Sequence, residues 1–292
     1  MADQSRAIRL VVLDWAGTTV DFGCFAPVAP FVDSLAAQGV AVTPDQVRGP
    51  MGLNKIDHLR DLLRLPETAA GWREAQGRDW DESDVERVYR DAYLLALLGS
   101  VGRHCQVVPG LLDVIDSLRT CGIKIAMTTG YSREAATIVF EAARRQGYDP
   151  DRNVLPDEVP RGRPEPWMIR RAMSFLDVDS PHEVVKVGDT PADIAEGLNA
   201  GVWSVGVIAG GSEVGLTQAD WAALPDLERR RRSDLVRRRF NELGAHAVIE
   251  TLAELTRLIR VIEDRLRSGS DPEPIECGRQ STESRIDDGP LR

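Results

Sequence analysis

Asp14 is the first residue whose position suggests chemistry. It follows residues 8–13, an apolar run of strand length, and it leads into the Gly17-Thr18 turn. A carboxylate at the carboxyl end of a buried strand can act as a nucleophile. Ala16 stands two positions later, so no second carboxylate is there to protonate a leaving group.

Three further polar patches follow predicted strands, at the edge where open α/β sheets bind their ligands. A Thr-Thr-Gly turn offers the hydroxyl of Thr129 and the backbone amides around Gly130 to phosphoryl oxygens. Arg163 precedes a predicted helix, and its guanidinium can bind an anion. Asp189 and Asp193 lie four residues apart at the start of another predicted helix, which suits a cation. Together the four patches are more specific than any one of them.

The carboxylates of Asp14 and Asp189, with the backbone carbonyl of Ala16, form a ligand set that suits Mg²⁺. Magnesium prefers hard oxygen ligands and commonly uses only one or two carboxylates, with substrate and water completing its octahedron. A carbonyl ligand needs no particular side chain, so alanine at position 16 is compatible with the metal site. Asp193 either binds the metal, directly or through water, or orients its neighbours at the helix N-terminus.

The order of the patches resembles the haloacid dehalogenase (HAD) superfamily. Its phosphatases usually carry Asp-x-Asp at the first patch, where the second aspartate protonates the departing alkoxide. This chain has Ala16 at that position. Either it is a damaged phosphatase, or its leaving group is not an oxygen.

Residues 49–58, Gly-Pro-Met-Gly-Leu-Asn-Lys-Ile-Asp-His, narrow the resemblance. Four other segments match with them: Asp-Trp-Ala-Gly-Thr-Thr-Val-Asp-Phe-Gly-Cys-Phe-Ala-Pro from Asp14, Thr-Thr-Gly-Tyr ending at Tyr131, Gly-Arg-Pro-x-Pro-Trp-Met around Arg163, and Lys-Val-Gly-Asp-Thr at the fourth patch. They are similar to the phosphonoacetaldehyde hydrolase (phosphonatase) family of the HAD superfamily. No position that is catalytic in that family departs from its pattern.

The resemblance implies a Mg²⁺-dependent enzyme that hydrolyses the carbon-phosphorus bond of phosphonoacetaldehyde, in the degradation of 2-aminoethylphosphonate. Lys55 would form a Schiff base with the aldehyde, and its protonated nitrogen would accept the electrons that leave with carbon. Asp14 would attack phosphorus and form an aspartyl-phosphate, while Arg163 holds the phosphonate. Acetaldehyde and orthophosphate would be the products, and the resemblance also implies a homodimer formed through the cap.

Schiff-base formation requires a neutral amine, and a lysine with a pKa of about 10.4 is only ~0.04% neutral at pH 7. We therefore expect burial or a nearby cation to lower the pKa of Lys55. His58 lies one helical turn further on and is a candidate proton relay, the alternative being a structural or solvent-facing histidine. Met51, Cys24 and Tyr131 are candidates for lining the pocket, and core packing is the usual alternative for methionine.

Two other functions remain open at this point. A HAD phosphatase or phosphomutase acting on a small phosphate ester would use the same core, although Ala16 opposes it. A noncatalytic ligand-binding protein would keep the fold, although it would not need both Asp14 and Lys55.

The elements that position these residues follow from the pattern of apolar segments. Strand-length segments lie at residues 10–13, 123–128, 184–187 and 202–207. Their alternation with helical patterns predicts an α/β fold with a Rossmann-like parallel sheet. Residues 21–104 have helical spacing and little strand character, so we expect an all-helical cap domain inserted into a core of residues 1–20 and 105–267.

Several helix ends are also predicted. Thr43-Pro44 is typical of a helix start, Gly122 and Gly147 of helix ends, and residues 251–254 of a capping box that opens a helix to about Arg267. Residues 84–98 are predicted to be helical. The Gly-, Ser-, Pro- and charge-rich residues 268–292 are expected to form a disordered tail.

Composition limits the classes of partner. The formal net charge of -10 argues against broad nucleic-acid binding, whose affinity comes largely from Lys and Arg at phosphates. An Arg-rich stretch at residues 229–239 is interpreted as a solvated helix face, the alternative being a nucleic-acid surface. Its candidate buried positions are Leu227, Leu235, Val236 and Phe240.

No apolar run approaches the ~20 residues of a membrane span, and residues 1–6 lack a signal-like segment. We therefore expect a cytoplasmic protein with no membrane partner. The cysteines lack the paired spacing of a metal site, so reduced thiols are expected at Cys24, Cys105, Cys121 and Cys277.

Overall fold

The structure is a computed structural model that describes residues 8–268 of the 292-residue chain. Cys277 and all of the predicted tail except Ser268 lie outside the described residues.

Six strands form one sheet in the described part of the chain. They are β1 (Leu10–Asp14), β2 (Lys124–Thr128), β3 (Arg152–Val154), β4 (Val184–Gly188), β5 (Trp203–Val207) and β6 (Ala247–Ile249). Every pair is parallel, and the order is β3-β2-β1-β4-β5-β6. The first strand, β1, lies in the middle of the sheet. Strands β2 and β3 extend the sheet on one side of it, and β4, β5 and β6 extend it on the other. The predicted parallel α/β fold is confirmed, and the reversal beside β1 places a ligand crevice at its carboxyl end.

Strands β3 and β6 were not predicted. Each has three residues and lies at an edge of the sheet, so neither produces a recognisable apolar run. The four strands that were predicted form the inner part of the sheet, where burial on both faces demands continuous apolar sequence.

Thirteen α-helices accompany the sheet within residues 8–268. They are α1 (Val28–Ala36), α2 (Pro44–Arg48), α3 (Lys55–Arg64), α4 (Pro66–Gln76), α5 (Glu82–Val88), α6 (Leu94–Ser100), α7 (Leu111–Thr120), α8 (Arg133–Arg144), α9 (Trp167–Phe175), α10 (Pro191–Ala200), α11 (Gln218–Ala223), α12 (Asp226–Glu242) and α13 (Leu255–Arg267). No helix within these residues combines the length and the hydrophobicity that a membrane span requires.

Helices α1 to α6 all lie between β1 and β2, and they form the predicted all-helical cap. The helix predicted at residues 84–98 is interrupted by a π-helical turn, Tyr89–Tyr93, between α5 and α6. The proposed boundaries of the cap, residues 21–104, stay a prediction. Cap and core share one apolar cluster, which runs from Leu13 in β1 to Phe31 and Leu59 in the cap.

Two linkers join the cap to the core, and they run side by side. The backbone N–H of Asp21 donates to the carbonyl of Gln106 over 3.1 Å, and that of Val108 donates to Thr19 over 2.9 Å. Asp21 and Cys24 both have positive φ angles, 56° and 51°, so the first linker turns sharply. This turn leads the chain from the end of β1 directly into the cap.

The predicted helix boundaries agree with the structure. The side chain of Thr43 caps α2, of which Pro44 is the first residue. Gly122 and Gly147 follow α7 and α8 with φ angles of 73° and 93°, which glycine adopts most easily. At residues 251–254 the Glu254 side chain accepts from the backbone N–H of Thr251 over 3.3 Å, which is one half of the predicted capping box, and the segment leads into α13.

Helix α12 contains the Arg-rich stretch, but two of its predicted buried positions are wrong. Val236 and Phe240 are buried, whereas Leu227 and Leu235 are 82% and 48% exposed. The buried face passes through Ser233, Val236 and Phe240. At about 100° per residue, Leu227 lies on the opposite side of the helix from Val236.

The arginines of α12 pair with nearby carboxylates, as is typical of a solvated helix face. The pairs include Arg232–Glu228 at 2.8 Å, Arg237–Glu250 at 3.2 Å and Arg239–Glu213 at 2.6 Å.

Candidate active site

Asp14 is the last residue of β1 and is buried, with 5% of its surface exposed. Burial raises the pKa of its carboxyl, and the positive charge of Arg163 opposes this rise. Nη2 of Arg163 donates a hydrogen bond of 2.7 Å to Oδ1 of Asp14. No hydrogen bond to Oδ2 is present among the described residues, so this oxygen is available to a ligand.

An acidic cluster surrounds the end of β1. Asp14, Asp189 and Asp193 each place a carboxylate oxygen within 4.8 Å of the others. Burial and the charges of the other two aspartates raise the pKa of Asp189 well above its usual value. A divalent cation bound between these carboxylates would remove the repulsion.

Two hydrogen bonds and one glycine hold Asp189 in place. Oγ1 of Thr18 donates to its Oδ1 and the backbone N–H of Ser212 donates to its Oδ2, both over 2.7 Å. Gly17 has a φ angle of 92°, and a Cβ added there would overlap the Asp189 carboxylate. The Gly-Thr turn of the first patch therefore allows the backbone after β1 to approach the fourth patch closely.

Asp193 differs from the other two aspartates because its carboxylate contacts two buried cations. Oδ1 lies 3.1 Å from Nη1 of Arg163 and 2.9 Å from Nζ of Lys186. Oδ2 accepts from the backbone and hydroxyl of Thr190 at the start of α10. Burial alone would raise the pKa of Asp193, but the charges of Arg163 and Lys186 outweigh it and lower this pKa. These contacts favour an orienting role over direct metal binding.

Arg163 is buried, with 3% of its surface exposed, and connects the nucleophile loop to the cap. Besides Asp14, it donates to Oε2 of Glu196 at 2.9 Å and to Oγ1 of Thr128 at 2.7 Å. Nη1 lies 3.3 Å from the carbonyl of Gly52, a residue of the cap. With the contact to Asp193, the five N–H groups of the guanidinium face five acceptors.

A buried ion-pair network beneath Arg163 was missed by sequence reasoning. Lys186, in β4, is fully buried; its Nζ donates to Oγ1 of Thr128 over 2.9 Å and lies 3.2 Å from Oε2 of Glu196. A lysine in the apolar run Val-Val-Lys-Val-Gly is itself a signal, because a buried charge needs a partner. Nothing in the spacing of Glu196 marks it, beyond its position one turn after Asp193 on α10.

Lys55 is the first residue of α3, in the cap, and only 7% of it is exposed. Its pKa is lowered, mainly by burial and further by Arg163, while Asp14 and, were it ionised, Cys24 act in the opposite direction. The direction of this shift is the one expected from the sequence. Nζ lies 5.3 Å from the centre of the Tyr131 ring, so the amine lies above an aromatic face.

His58 is fully buried and is therefore not solvent-facing. Its Nε2 lies 2.8 Å from the carbonyl oxygen of Val47. Because a carbonyl oxygen can only accept a hydrogen bond, Nε2 carries the proton. Nδ1 is then unprotonated and has no hydrogen-bond partner among the described residues. Burial and the charge of Lys55 lower the pKa of His58 well below its usual value, which leaves Nδ1 as a neutral base.

A small cavity lies between the cap and the end of β1. Its volume is about 20 Å³, where one water needs about 10–15 Å³. It is lined by Asp14, Ala16, Cys24, Met51, Gly52, Lys55, Thr129, Gly130, Tyr131, Arg163 and Thr190. The structure thus brings the predicted residues of core and cap together, while Asp189, Asp193 and His58 lie outside the cavity lining.

The three pocket candidates all line this cavity, and each is neutral. Burial raises the pKa of Cys24 well above its usual value, with the negative charge of Asp21 adding to the effect. Burial likewise raises the pKa of the Tyr131 phenol. Met51 is 3% exposed and belongs to the apolar cluster as well as to the cavity wall, so pocket lining and core packing both apply to it.

The cap loop rests directly on the core at two glycines. Gly52 has a φ angle of 93°, and a Cβ there would overlap Oγ1 of Thr190. A Cβ on Gly130 would overlap the carbonyl oxygen of Leu53. Both contacts leave no room for a side chain, so the structure represents a closed state.

Comparison with known proteins gives a consistent family. The model of the haloacid dehalogenase-like hydrolase family matches residues 8–201, and that of the HAD-hydrolase-like family matches residues 160–255. Proteins named phosphonoacetaldehyde hydrolase are among the relatives. The one from Syntrophobacter fumaroxidans is 47% identical over 91% of this chain and 95% of its own length, and one from Bacillus cereus is 45% identical over 88% and 97%.

A solved structure is similar over nearly the whole fold. The crystal structure of a phosphonoacetaldehyde hydrolase-like protein from Oleispira antarctica has a TM-score of 0.89 to this chain. The two sequences are 37% identical, over 93% of this chain and 99% of the other.

Proposed function

Since the chain belongs to the haloacid dehalogenase-like hydrolases and, among them, to the phosphonoacetaldehyde hydrolases, we propose that it hydrolyses the carbon-phosphorus bond of phosphonoacetaldehyde to acetaldehyde and orthophosphate. The observation that carries this proposal is that a carboxylate from the core and an amine from the cap, Asp14 and Lys55, line the same cavity. A phosphate-ester phosphatase needs an acid for its leaving alkoxide, and Ala16 lines the cavity where that acid would stand.

Lys55 begins the reaction. Its neutral amine attacks the aldehyde carbon, and loss of water with uptake of one proton leaves a protonated imine. His58 is the candidate proton relay to Lys55 through water, since its Nδ1 is unprotonated and the charge of Lys55 lowers its pKa. The imine nitrogen is the electron sink that a carbon leaving group requires.

Asp14 carries out the phosphorus step. Its Oδ2 attacks phosphorus in line, the carbon-phosphorus bond breaks, and the electron pair moves to the imine nitrogen to give a neutral enamine. One water hydrolyses the aspartyl-phosphate to orthophosphate, and another releases acetaldehyde from Lys55 once the enamine is protonated. Arg163 moves one N–H from its present acceptors to the phosphonate, and the long contact to Gly52, at 3.3 Å, is the one most easily given up.

The residues present fit a magnesium ion. Asp14 and Asp189 would hold it with the backbone carbonyl of Ala16, while Asp193 orients Arg163 and Lys186. Among the described residues, the buried carboxylates at the site are Asp14, Asp189, Asp193 and Glu196, and the buried cations contacting them are Arg163 and Lys186. This excess of two formal negative charges suits a divalent cation. When bound, Mg²⁺ would neutralise charge on the phosphonate and on the attacking carboxylate.

Two further properties are proposed from the family resemblance, a place in 2-aminoethylphosphonate degradation and a homodimer formed through the cap. A cytoplasmic location is proposed from the sequence. The free thiols of Cys24, Cys105 and Cys121 are compatible with a reducing compartment.

The decisive experiment measures acetaldehyde and orthophosphate from phosphonoacetaldehyde, with Mg²⁺ and with a chelator. Equimolar release that requires Mg²⁺ is expected. Turnover of sugar phosphates with no release from phosphonoacetaldehyde would instead favour a phosphatase or phosphomutase. Tight binding without any release would favour a ligand-binding protein.

Borohydride trapping tests the Schiff base separately. In the presence of substrate, the wild type should gain a reduced two-carbon or phosphonate-bearing adduct on Lys55, detected by peptide mass spectrometry. Asp14→Asn should lose phosphate release and keep the adduct. Absence of any adduct during turnover would reject the Lys55 mechanism.

A further inference from the structure

Arg48 occupies the last position of α2, immediately before the segment that carries Met51, Gly52 and Lys55 to the cavity. Its side chain is half-buried. Because only six residues separate Arg48 from Lys55, a restraint on Arg48 limits how far the intervening loop can lift from the core.

The guanidinium of Arg48 bridges the cap linker and the core. Its Nη1 donates to the carbonyl of Gly23 over 2.8 Å and to the carbonyl of Ser212 over 3.2 Å. Its carbon Cζ lies 5.1 Å from the centre of the Phe25 ring. Gly215 has a φ angle of 62°, and a Cβ there would lie 2.9 Å from Cζ, so this core loop leaves just enough room for the guanidinium.

Arg48 has no carboxylate within ion-pair distance among residues 8–268. Its charge is therefore compensated at short range by the two carbonyls and the Phe25 ring, while Glu213 interacts with it from beyond ion-pair distance. Hydrogen bonds to a charged group contribute more than neutral ones, so the contact to Ser212 favours the seated cap.

Ser212 also reaches the acidic cluster. Its backbone N–H donates to Oδ2 of Asp189 over 2.7 Å, while its carbonyl accepts from Arg48. The same core loop is tied to the cap linker by a second hydrogen bond, in which the backbone N–H of Gly23 donates to Gly210 over 2.6 Å. A displacement of Arg48 thus acts on a residue that orients Asp189.

Because the cavity is closed, contacts that hold the cap on the core must break and form again as substrate enters. A volume of about 20 Å³ admits about one water and not a phosphonate, so the cap must open and close in each cycle. Of the cap's polar contacts with the core near the cavity, those of Arg48 to Ser212 and of Arg163 to Gly52 would break on opening.

We infer that Arg48 is a positioning residue that seats the Lys55 loop on the core and, through Ser212, couples closure of the cap to the orientation of Asp189. The activity readouts of Arg48 variants rest on the proposed function. Arg48 itself acts through other residues rather than on the substrate.

The test compares Arg48→Ala and Arg48→Lys with a matched control, Arg64→Ala. Arg64 lies in the same cap, at the end of α3, and its one ion pair within residues 8–268 is an exposed contact with Asp61 at 3.0 Å. With limiting substrate, the rate of borohydride trapping at Lys55 should fall about 10- to 100-fold in Arg48→Ala, the scale of losing a hydrogen bond to a charged group. Arg48→Lys should recover part of this loss, and Arg64→Ala should match the wild type.

Two further measurements separate positioning from a general structural defect. Guanidinium at concentrations far below denaturing ones should restore trapping in Arg48→Ala and leave the wild type unchanged. Isothermal calorimetry of Mg²⁺ binding without substrate should give a weaker affinity for Arg48→Ala than for Arg64→Ala, because coupling between two sites is reciprocal.

Trapping in Arg48→Ala equal to that in Arg64→Ala would overturn the seating role. A loss of trapping that guanidinium does not restore in a folded Arg48→Ala protein would do the same. Unchanged Mg²⁺ affinity would overturn the coupling to Asp189. Failure of the proposed function is a separate result, because the wild type itself would then show no adduct and no phosphate release.

Discussion

Nη2 of Arg163 lies 2.7 Å from Oδ1 of Asp14, and both side chains are buried at the end of β1. This ion pair joins the predicted anion-binding residue to the predicted nucleophile. Glu196 and Asp193 hold the other side of the same guanidinium. The direction in which Asp14 faces a substrate therefore depends on a cation that the core itself orients.

Replacing Arg163 by lysine should separate the two halves of the proposed reaction. Lysine keeps the charge but lacks the planar set of donors, so it cannot contact Asp14 and Glu196 in the same geometry. We expect phosphate release to fall at least about 100-fold, the scale of removing one charge-stabilising donor from an active site. At saturating substrate, borohydride trapping at Lys55 should fall much less. An equal loss in both assays would show that Arg163 supports the whole site rather than the phosphorus step.

Lys186 should be important for stability as well as for the site. Its removal leaves Asp193 and Glu196, both fully buried, with Arg163 as their one cationic partner in the described part of the chain. We expect Lys186→Met to lower the free energy of unfolding by about 3–5 kcal/mol, as for other broken buried pairs. Urea denaturation would measure this.

Lys124→Met is the matched control for Lys186→Met. Lys124 lies on the neighbouring strand β2, is half-buried, and donates to the carbonyl of Leu176 over 2.6 Å. No ion pair of Lys124 is present within the described range of the chain. Its replacement should cost much less, and an equal cost in the two variants would contradict the prediction.

Lys55 should reduce stability at neutral pH, because its pKa in the folded protein lies below the ordinary value of 10.5. Between these two pKa values the unfolded chain binds more protons at this residue than the folded one, so wild-type stability rises with pH through that window. Lys55→Met should therefore be more stable than the wild type near pH 7, and its advantage should shrink as pH approaches 10.5.

Urea denaturation across this pH range would measure the difference between Lys55→Met and the wild type. The corresponding kinetic prediction is that trapping of wild-type Lys55 rises with pH and levels off below pH 10.5. A stability difference that stays constant with pH would indicate that Lys55 titrates as an ordinary exposed lysine.

Gly130→Ala should block closure of the cap with little effect on the fold. The added Cβ would overlap the carbonyl oxygen of Leu53, a backbone atom that cannot rotate away as a flexible side chain could. We expect kcat/KM to fall at least about 100-fold, since small misplacements of reacting groups have effects of this size. Steady-state kinetics and thermal unfolding would be measured together.

Gly99→Ala controls for the general effect of adding a methyl group. Gly99 lies in α6 of the cap, and a Cβ there meets nothing within 4 Å. This variant should retain activity and be slightly more stable, because alanine favours a helix more than glycine does. Full activity in Gly130→Ala would mean that the cap need not approach Gly130 to close.

The central strands and the ends of several helices could be predicted because each depends on local chemistry. A strand buried on both faces must be apolar, and the residue that follows it reaches the ligand edge of the sheet, which is how Asp14 and Asp189 were found. Gly122 was recognised as a helix end for an equally local reason. Strands β3 and β6 have too few residues to produce such a signal.

Which residues of a surface helix are buried depends on the elements that pack against it. Leu227 and Leu235 have the same apolar character as Val236 and Phe240, yet they are exposed. Composition identifies apolar residues, but the direction from which the sheet packs against α12 decides which of them are covered.

The sequence by itself determined the kinds of groups that meet at the site: a carboxylate after β1, an amine in the cap and a guanidinium before α9. Tertiary structure decided their partners, because those partners are far apart along the chain. Arg163 and Asp14 are separated by 149 positions, and Lys186 and Thr128 by 58. Only the tertiary structure shows that Asp193 contacts two cations, that Glu196 accepts a hydrogen bond from Arg163, and that Arg48 of the cap donates a hydrogen bond to Ser212 of the core.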